Sequence, residues 1–353
     1  MESDQQEGRS LPSEGERPTL KTIAFMTGLG VTTVSRALKD APEIGPETRK
    51  RVQLVARQVG YRPNRAGVRL RTGKTNVISL ILDTQESIGG FVSDIVYGVS
   101  EHLAQTPYHL ILTPYSRDND PMEPIRYVVE TGSADGIIIS RTQPNDPRVR
   151  YLAERGFPFA THGRTLVKPA HAFHDFDNYT FGQIAVQRLV RRGRKRLALL
   201  GPSASLLYAQ HTRDGFSDAL ASEGVSEVPF PHVTTDDTME AIREATLEMM
   251  RRKQPPDGIV SSAGGAAFSI VAGIEEAGLQ LGRDIDIVSK QSFRLLPIFR
   301  PQILVVNEDF RLAGRNLARA VIGAIGGAAL NTLQTIEVPE AVGEVPEAVD
   351  ETR

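Results

Sequence analysis

The chain has 353 residues, with 41 Lys and Arg against 43 Asp and Glu and 40% hydrophobic residues, enough for two or three domains with cores of their own. It holds no cysteine, which excludes a disulfide framework, a thiolate metal site and a cysteine nucleophile. The polar start MESDQQEGRSLPSEGERP lacks the apolar stretch of a secretory signal, and no apolar run approaches the roughly 20 residues that span a bilayer, so a soluble cytoplasmic protein is expected.

Charge is unevenly spread. Residues 18–74 carry 12 Lys and Arg against 3 Asp and Glu, which leaves the rest of the chain net acidic. Such a head on a differently tasked body points to a polyanion partner. Residues 1–17, rich in Ser, Glu, Gly and Pro, read as a disordered tail.

From Pro18 the pattern turns helical. Thr19 is placed to cap a helix over Leu20–Met26, with Leu20, Ile23 and Ala24 on one face. Thr27-Gly28-Leu29 breaks it. A second helix is predicted over about Gly30–Leu38, turning Val34 and Leu38 inward and leaving Val31, Thr32, Thr33 and Arg36 outward. A third starts at Pro46, a favourable first-turn residue, and runs to about Val59 with Val52, Leu54, Val55 and Val59 as anchors. Two short helices about a glycine turn with a supporting third make a helix-turn-helix domain over 18–63. The GLG at 28–30 lacks a third glycine and follows no strand, which argues against a dinucleotide loop.

The run Thr19-Leu20-Lys21-Thr22-Ile23-Ala24, Gly28-Leu29, Thr33-Val34-Ser35-Arg36-Ala37-Leu38, Thr48-Arg49, Val52 and Gly60-Tyr61-Arg62-Pro63-Asn64 resembles the LacI/GalR family of transcriptional repressors, and the resemblance extends over nearly the whole chain. It implies base readout by Val31, Thr32 and Arg36, and phosphate contacts by Thr19, Gly30, Thr33, Ser35, Thr48, Tyr61 and Asn64. Chemically these roles suit the residues. Arg36 can take guanine O6 and N7 bidentately, Val31 and Thr32 can meet thymine methyls or base edges, and hydroxyls and backbone amides hold phosphates without sequence preference. Gly30 stands where the family usually has a capping Ser, so a weaker phosphate contact is expected there. Residues 64–75 resemble the family's hinge helix and linker, with Leu70 as the wedge between central base steps. Gly67 departs from the usual residue and should cost this helix roughly 0.5–1 kcal/mol.

From Asn76 short apolar runs alternate with helical stretches. Strands are predicted at Val77–Leu82, Leu110–Thr113, Gly136–Ser140, Phe157–Thr161, Leu197–Gly201, Gly258–Ser261 and Ile285–Val288, a βαβ pattern that implies parallel sheets. The runs at 134–139, 255–260 and 276–279 resemble landmarks of a two-lobed, periplasmic-binding-protein-like core. The expected fold is thus an all-α helix-turn-helix head joined by a hinge to an α/β core over 76–345. Lobe 1 covers about 76–175 and 306–331, lobe 2 about 176–305 and 332–345.

Ligands of such folds bind between lobes, at strand carboxyl ends. By position, the resemblance puts Asp83, Phe91, Ser140, His162, Arg164, Asp177, Asn178, Phe216 and Gln291 in that cleft. Where many sugar-binding members have an Arg before the glycine matched by Gly215, this chain has Thr212, with Arg213 one step along. Where they have a carboxylate it reads Ser289-Lys290-Gln291. Lys290, with His162, Arg164, His211 and Arg213, suggests an anionic effector such as a sugar acid or phosphosugar, a neutral sugar being the alternative if these cations sit on the rim or pair with Asp177. In that reading Lys290→Ala abolishes the response to an acidic effector.

Other features carry less. His171-x-x-His174-Asp175 lacks the further ligands a metal needs, and no hydrolase elbow, zincin or P-loop motif appears, so neither metal, cofactor nor catalysis is expected. Arg191-Arg192-Gly193-Arg194-Lys195-Arg196 reads as a solvated turn rather than a nucleic-acid patch. The resemblance implies a homodimer on a palindromic double-stranded operator, a repressor of carbohydrate-metabolism genes controlled by a sugar or sugar derivative, with no membrane partner. An activator or corepressor-dependent regulator is the alternative. A solute-binding protein would need a signal peptide and no helix-turn-helix.

Overall fold

A computed structural model describes residues 17–61, 73–83, 91–116, 118–291 and 295–340. The chain divides into two compact units, Met1–Thr75 and Asn76–Arg353. The hinge residues Asn64, Gly67 and Leu70 lie outside the described residues.

The head is three helices, α1 (Leu20–Thr27), α2 (Val31–Ala37) and α3 (Pro46–Gln58). Thr19 and Thr22 cap α1 reciprocally, each backbone N–H donating to the other's hydroxyl at 3.4 and 3.0 Å. This satisfies two orphan amides of the first turn. Gly28 ends the helix at φ 69, a left-handed turn that glycine takes without a Cβ penalty. Ile23, Ala24, Val34, Ala37, Val52 and Ala56 form the core, with Leu20, Leu38, Val55 and Val59 packed against it. Leu54 is not part of it, being 50% exposed. The buried face of α3 follows Val52, Val55, Ala56 and Val59, and Leu54 falls off that 3.6-residue stripe.

In the second unit, two parallel sheets build two lobes. The first sheet runs β11–β5–β4–β3–β1–β2 and the second β10–β9–β8–β6–β7. Their strands are β1 (Val77–Asp83), β2 (His109–Tyr115), β3 (Gly136–Ile139), β4 (Phe159–His162), β5 (Ala172–Phe176), β6 (Arg196–Leu200), β7 (Ser226–Glu227), β8 (Gly258–Ser261), β9 (Asp286–Gln291), β10 (Leu304–Asn307) and β11 (Gln334–Glu337). Central strands such as Gly136–Ile139 and Gly258–Ser261 are buried throughout, as expected where helices cover both faces. The chain passes from the first lobe to the second at Asp177 and returns at Glu308 and Asp309. The tail expectation is corrected here: β11 pairs in parallel with β5, Gln334 opposite Phe173, so residues 334–337 close the first sheet and do not join the second lobe.

Each lobe is pinned by two helices crossing at glycines. In the first, Phe91–Leu103 meets Phe310–Ile325, where a Cβ on Gly98 would stand 2.1 Å from the Arg311 carbonyl oxygen. In the second, Asn178–Arg191 meets Leu207–Glu223, where a Cβ on Gly215 would stand 2.0 Å from the Tyr179 carbonyl oxygen. Gly215→Ala must therefore separate backbones rather than rotate a side chain, and should cost about 1–3 kcal/mol or more by urea unfolding. A midpoint unchanged from wild type would show that the crossing is loose.

The basic run at 191–196 is partly structural. Arg194 Nε lies 2.7 Å from the buried Asp286 carboxylate, and Arg196 donates to the Pro255 carbonyl at 2.8 Å and pairs with Asp257 at 3.3 Å. These contacts tie the start of β6 to its neighbours, which leaves Arg191, Arg192 and Lys195 exposed.

Candidate functional sites: a helical DNA reader and an interlobe cleft

On the head, Val31, Thr32 and Arg36 share the exposed side of α2 while Val34 and Ala37 are buried beneath. Val31 is 41% exposed, leaving its methyls open to a partner. Arg36 reaches Glu43 at 3.6 Å, with both side chains more than half exposed. Such a pair is worth little and releases the guanidinium readily. Thr19 is exposed, and Thr33, Ser35, Thr48 and Tyr61 are half-buried. Gly30 precedes α2 with no side-chain cap. Its φ of −66 suits any residue, and a Cβ there would meet nothing closer than Thr33 Oγ1 at 3.9 Å. Gly30→Ser should therefore stabilise α2 by a few tenths of a kcal/mol and tighten binding to duplex DNA of any sequence. Anisotropy titrations that showed weaker binding would contradict this.

In the core, the carboxyl ends of β1, β3 and β4 in one lobe and of β9 and β10 in the other bring most predicted residues together. Lys290, at the end of β9, is buried. Its Nζ donates to Asn178 Oδ1 at 2.7 Å and lies 2.9 Å from Glu308 Oε2. The rings of Phe176, Phe181 and Tyr208 stand 4.9, 5.5 and 6.0 Å from the same nitrogen. Glu308 sits at the return crossover and turns its other oxygen toward His162 at 3.7 Å. Burial, then His174 and Lys290, lower the His162 pKa to about 3, so this contact is polar rather than ionic. Burial also pushes the Glu308 carboxyl upward, and Lys290 opposes that shift. Gln291 donates to Asn307 at 3.0 Å while its Oε1 is buried with no protein partner among the described residues.

The structure moves Arg213 and Phe216 away from the cleft and gives Asp177, Arg164 and Ser140 partners within the protein. Arg213 pairs with Glu227 of β7, which lies opposite Leu197 at the amino end of β6, away from the cleft end of that sheet. Phe216 is fully buried in the second lobe's core and lines nothing. Asp177 caps the helix Asn178–Arg191, accepting from the Thr180 amide at 3.0 Å and hydroxyl at 2.7 Å. Arg164 is tied to the buried Asp175. Ser140 is buried, and its carbonyl accepts from Arg148 at 3.1 Å. The side chain of Phe91 is not described. Most consequentially, Lys290 does not stand as a lone cation, because Glu308 supplies the carboxylate that seemed to be missing.

His171 and His174 stand three apart about β5. His171 meets Thr161 Oγ1 at 3.0 Å and His174 meets Thr335 Oγ1 at 2.8 Å, and no group of metal-binding side chains occurs among the described residues.

Three residues escaped the sequence. Glu308 follows β10, a strand absent from the sequence-based expectation, and the β9–β10 register, Gln291 opposite Asn307, brings it beside Lys290. Arg141 and Asp236 meet through a bidentate pair, both bonds 2.8 Å, across 95 residues of chain. No local pattern marks either one.

Two family models cover the chain: "Bacterial regulatory proteins, lacI family" over residues 19–64 and "Periplasmic binding proteins and sugar binding domain of LacI family" over residues 75–347. The transcriptional regulator AglR of Rhizobium meliloti is 32% identical over 316 residues, 87% of each chain. RafR of Escherichia coli is 33% identical over 330 residues, 91% of this chain and 96% of its own. Among solved structures, the lac repressor dimer bound to operator and the anti-inducer ONPF superposes with a TM-score of 0.77 at 19% identity, over 92% of this chain and 97% of that one. A CelR–cellobiose complex does so at 0.64 and 23%, over 92% and 98%. With both halves of its architecture matched and full-length regulators at this identity, the chain belongs to the LacI family of bacterial regulatory proteins.

Proposed function

We propose that this regulator represses carbohydrate-metabolism genes as a cytoplasmic homodimer, acting by binding rather than catalysis, and that a neutral sugar is its effector. Two copies of α2 would read the halves of a palindrome through Arg36, Val31 and Thr32, with Thr19, Gly30, Thr33, Ser35, Thr48, Tyr61 and Asn64 on phosphates. The Leu70 hinges would wedge the centre of the site. A ligand between the lobes would shift the population of two core states, to the extent that it binds them unequally.

One observation carries the choice of a neutral effector: the Lys290–Glu308 contact at 2.9 Å. With its charge balanced in a buried setting, Lys290 has little left for an anion, and bringing a phosphate beside Glu308 would set like charges together. Of the other groups in the anionic reading, Arg164 is held by Asp175 and Arg213 by Glu227, while burial lowers the pKa of both His162 and His211 and so disfavours their charged forms. The pair instead offers a donor and an acceptor, and Gln291 Oε1 adds an acceptor for a hydroxyl. Relatives named for sugar systems, including a CelR crystallised with cellobiose, agree with this. A thermal-shift screen of the full chain against neutral sugars, sugar acids and phosphosugars tests it, because a ligand bound only by the native state raises the midpoint. Stabilisation by acids or phosphosugars alone would reverse the assignment.

Dimerisation has candidate surfaces. Ile111 and Leu112 are 47% and 44% exposed on the edge strand β2, and Ile298 is 78% exposed in the second lobe. An apolar edge strand left open is a hazard that a second copy would cover. Leu112→Asp should weaken both the dimer, by sedimentation, and operator binding together. Intact dimers would place the interface elsewhere.

A further inference from the structure

Besides the chain crossovers, the lobes are joined at Arg141 and Thr142. Arg141 follows β3 in the first lobe, and its guanidinium grips both oxygens of Asp236, which belongs to the second. Beside it the Leu207 amide donates to the Thr142 carbonyl at 3.0 Å, also across the lobes. Both charged side chains are nearly buried, 13% and 16% exposed, so solvent and salt screen them less than a surface pair. A bidentate fork also fixes orientation, as a single bond does not.

Each side is built to hold its partner. Arg141 adopts φ 56, a left-handed conformation that residues with a Cβ seldom take and that persists only where the surroundings enforce it. Arg148 provides that enforcement. It is buried and salt-bridged to Asp146 at 2.7 Å, and it donates to the Arg141 carbonyl at 3.0 Å. Across the cleft, the Ser203 amide donates to Asp236 Oδ2 at 3.2 Å, and the Thr235 amide donates to Gly201 at 2.9 Å. Arg141 has a second acid within its own lobe: Asp83, buried at the end of β1, lies 3.7 Å from Arg141 Nε.

We propose that Arg141 and Asp236 form a latch that holds the lobes together without effector, with Asp83 keeping the guanidinium paired when they part. The cation stands between both acids when the lobes are joined and is left to Asp83 when Asp236 withdraws. That makes the element two-state, as a switch between discrete arrangements requires. The latch adds to the closure an effector brings, and so sets how much of the lobe motion the effector must drive.

The absence of cysteine makes the test direct. Glu154→Cys in the first lobe and Lys253→Cys in the second, both exposed positions, accept a donor and acceptor dye in the full chain, diluted with unlabelled protein so that transfer reports one protomer. Without sugar or DNA, Arg141→Gln and Asp236→Asn should each move the distance distribution toward separated lobes. Asp83→Asn should move it the other way, because it removes the acid that serves the parted state, and simple loss of structure would not produce that sign. Distributions unchanged in Arg141→Gln, or opening in Asp83→Asn, would overturn the proposal. The readout involves neither operator nor effector, so it stands or falls separately from the assignment of a neutral sugar.

Discussion

Glu308→Ala should destabilise the protein by about 3–5 kcal/mol, because it strands the buried Lys290 ammonium without its counter-charge. Lys290 and Glu308 side chains are only 8% and 5% exposed, and their atoms stand 2.9 Å apart. Asn178 Oδ1 still accepts from the ammonium, but a neutral amide does not replace a carboxylate in a buried site. Urea unfolding of the full chain reads the loss directly. A second variant separates folding from recognition. Replacing the pair together, Lys290→Met with Glu308→Leu, removes both charges at once and should be nearly neutral or better for stability, while abolishing whatever response a neutral sugar gives. If Glu308→Ala costs under about 1 kcal/mol, the two groups are hydrated and the balance of charge that excludes an anion is lost.

In Arg36→Ala, binding to the cognate operator should weaken by about 1–3 kcal/mol and selectivity should relax at one base position per half-site. The free protein loses almost nothing, since the exposed contact with Glu43 at 3.6 Å contributes little to the fold. The loss is one of readout rather than of charge alone. It should therefore fall mainly on the cognate sequence, with random duplex affected only through one fewer cation. Anisotropy titrations against the operator, single-base variants and random duplex make the comparison. Equal weakening on all of them would reassign Arg36 to the phosphate backbone.

The head was legible from the sequence because its information is local. Thr19 caps α1 from the adjacent residue, Gly28 ends it within one turn, and Val52 to Val59 mark a helical face by their spacing, with Leu54 apolar in type but off that face in angle. The alternation that announced parallel sheets is equally local: Gly136–Ile139 and Gly258–Ser261 are buried runs bounded by turn residues. Which lobe the tail completes was not, since β11 finds β5 across more than 150 residues. Likewise the sequence named Lys290 and left it alone, because the pairing of β9 with β10 that delivers Glu308 has no signature in either segment. By itself the chain order determined a basic three-helix reader ahead of a two-lobed α/β core, through periodicity, caps and charge. Only the tertiary structure decided which charges in the cleft are balanced and which side chains join the lobes, because a buried ion pair depends on distance in space, and the residues that form one need be neighbours in nothing else.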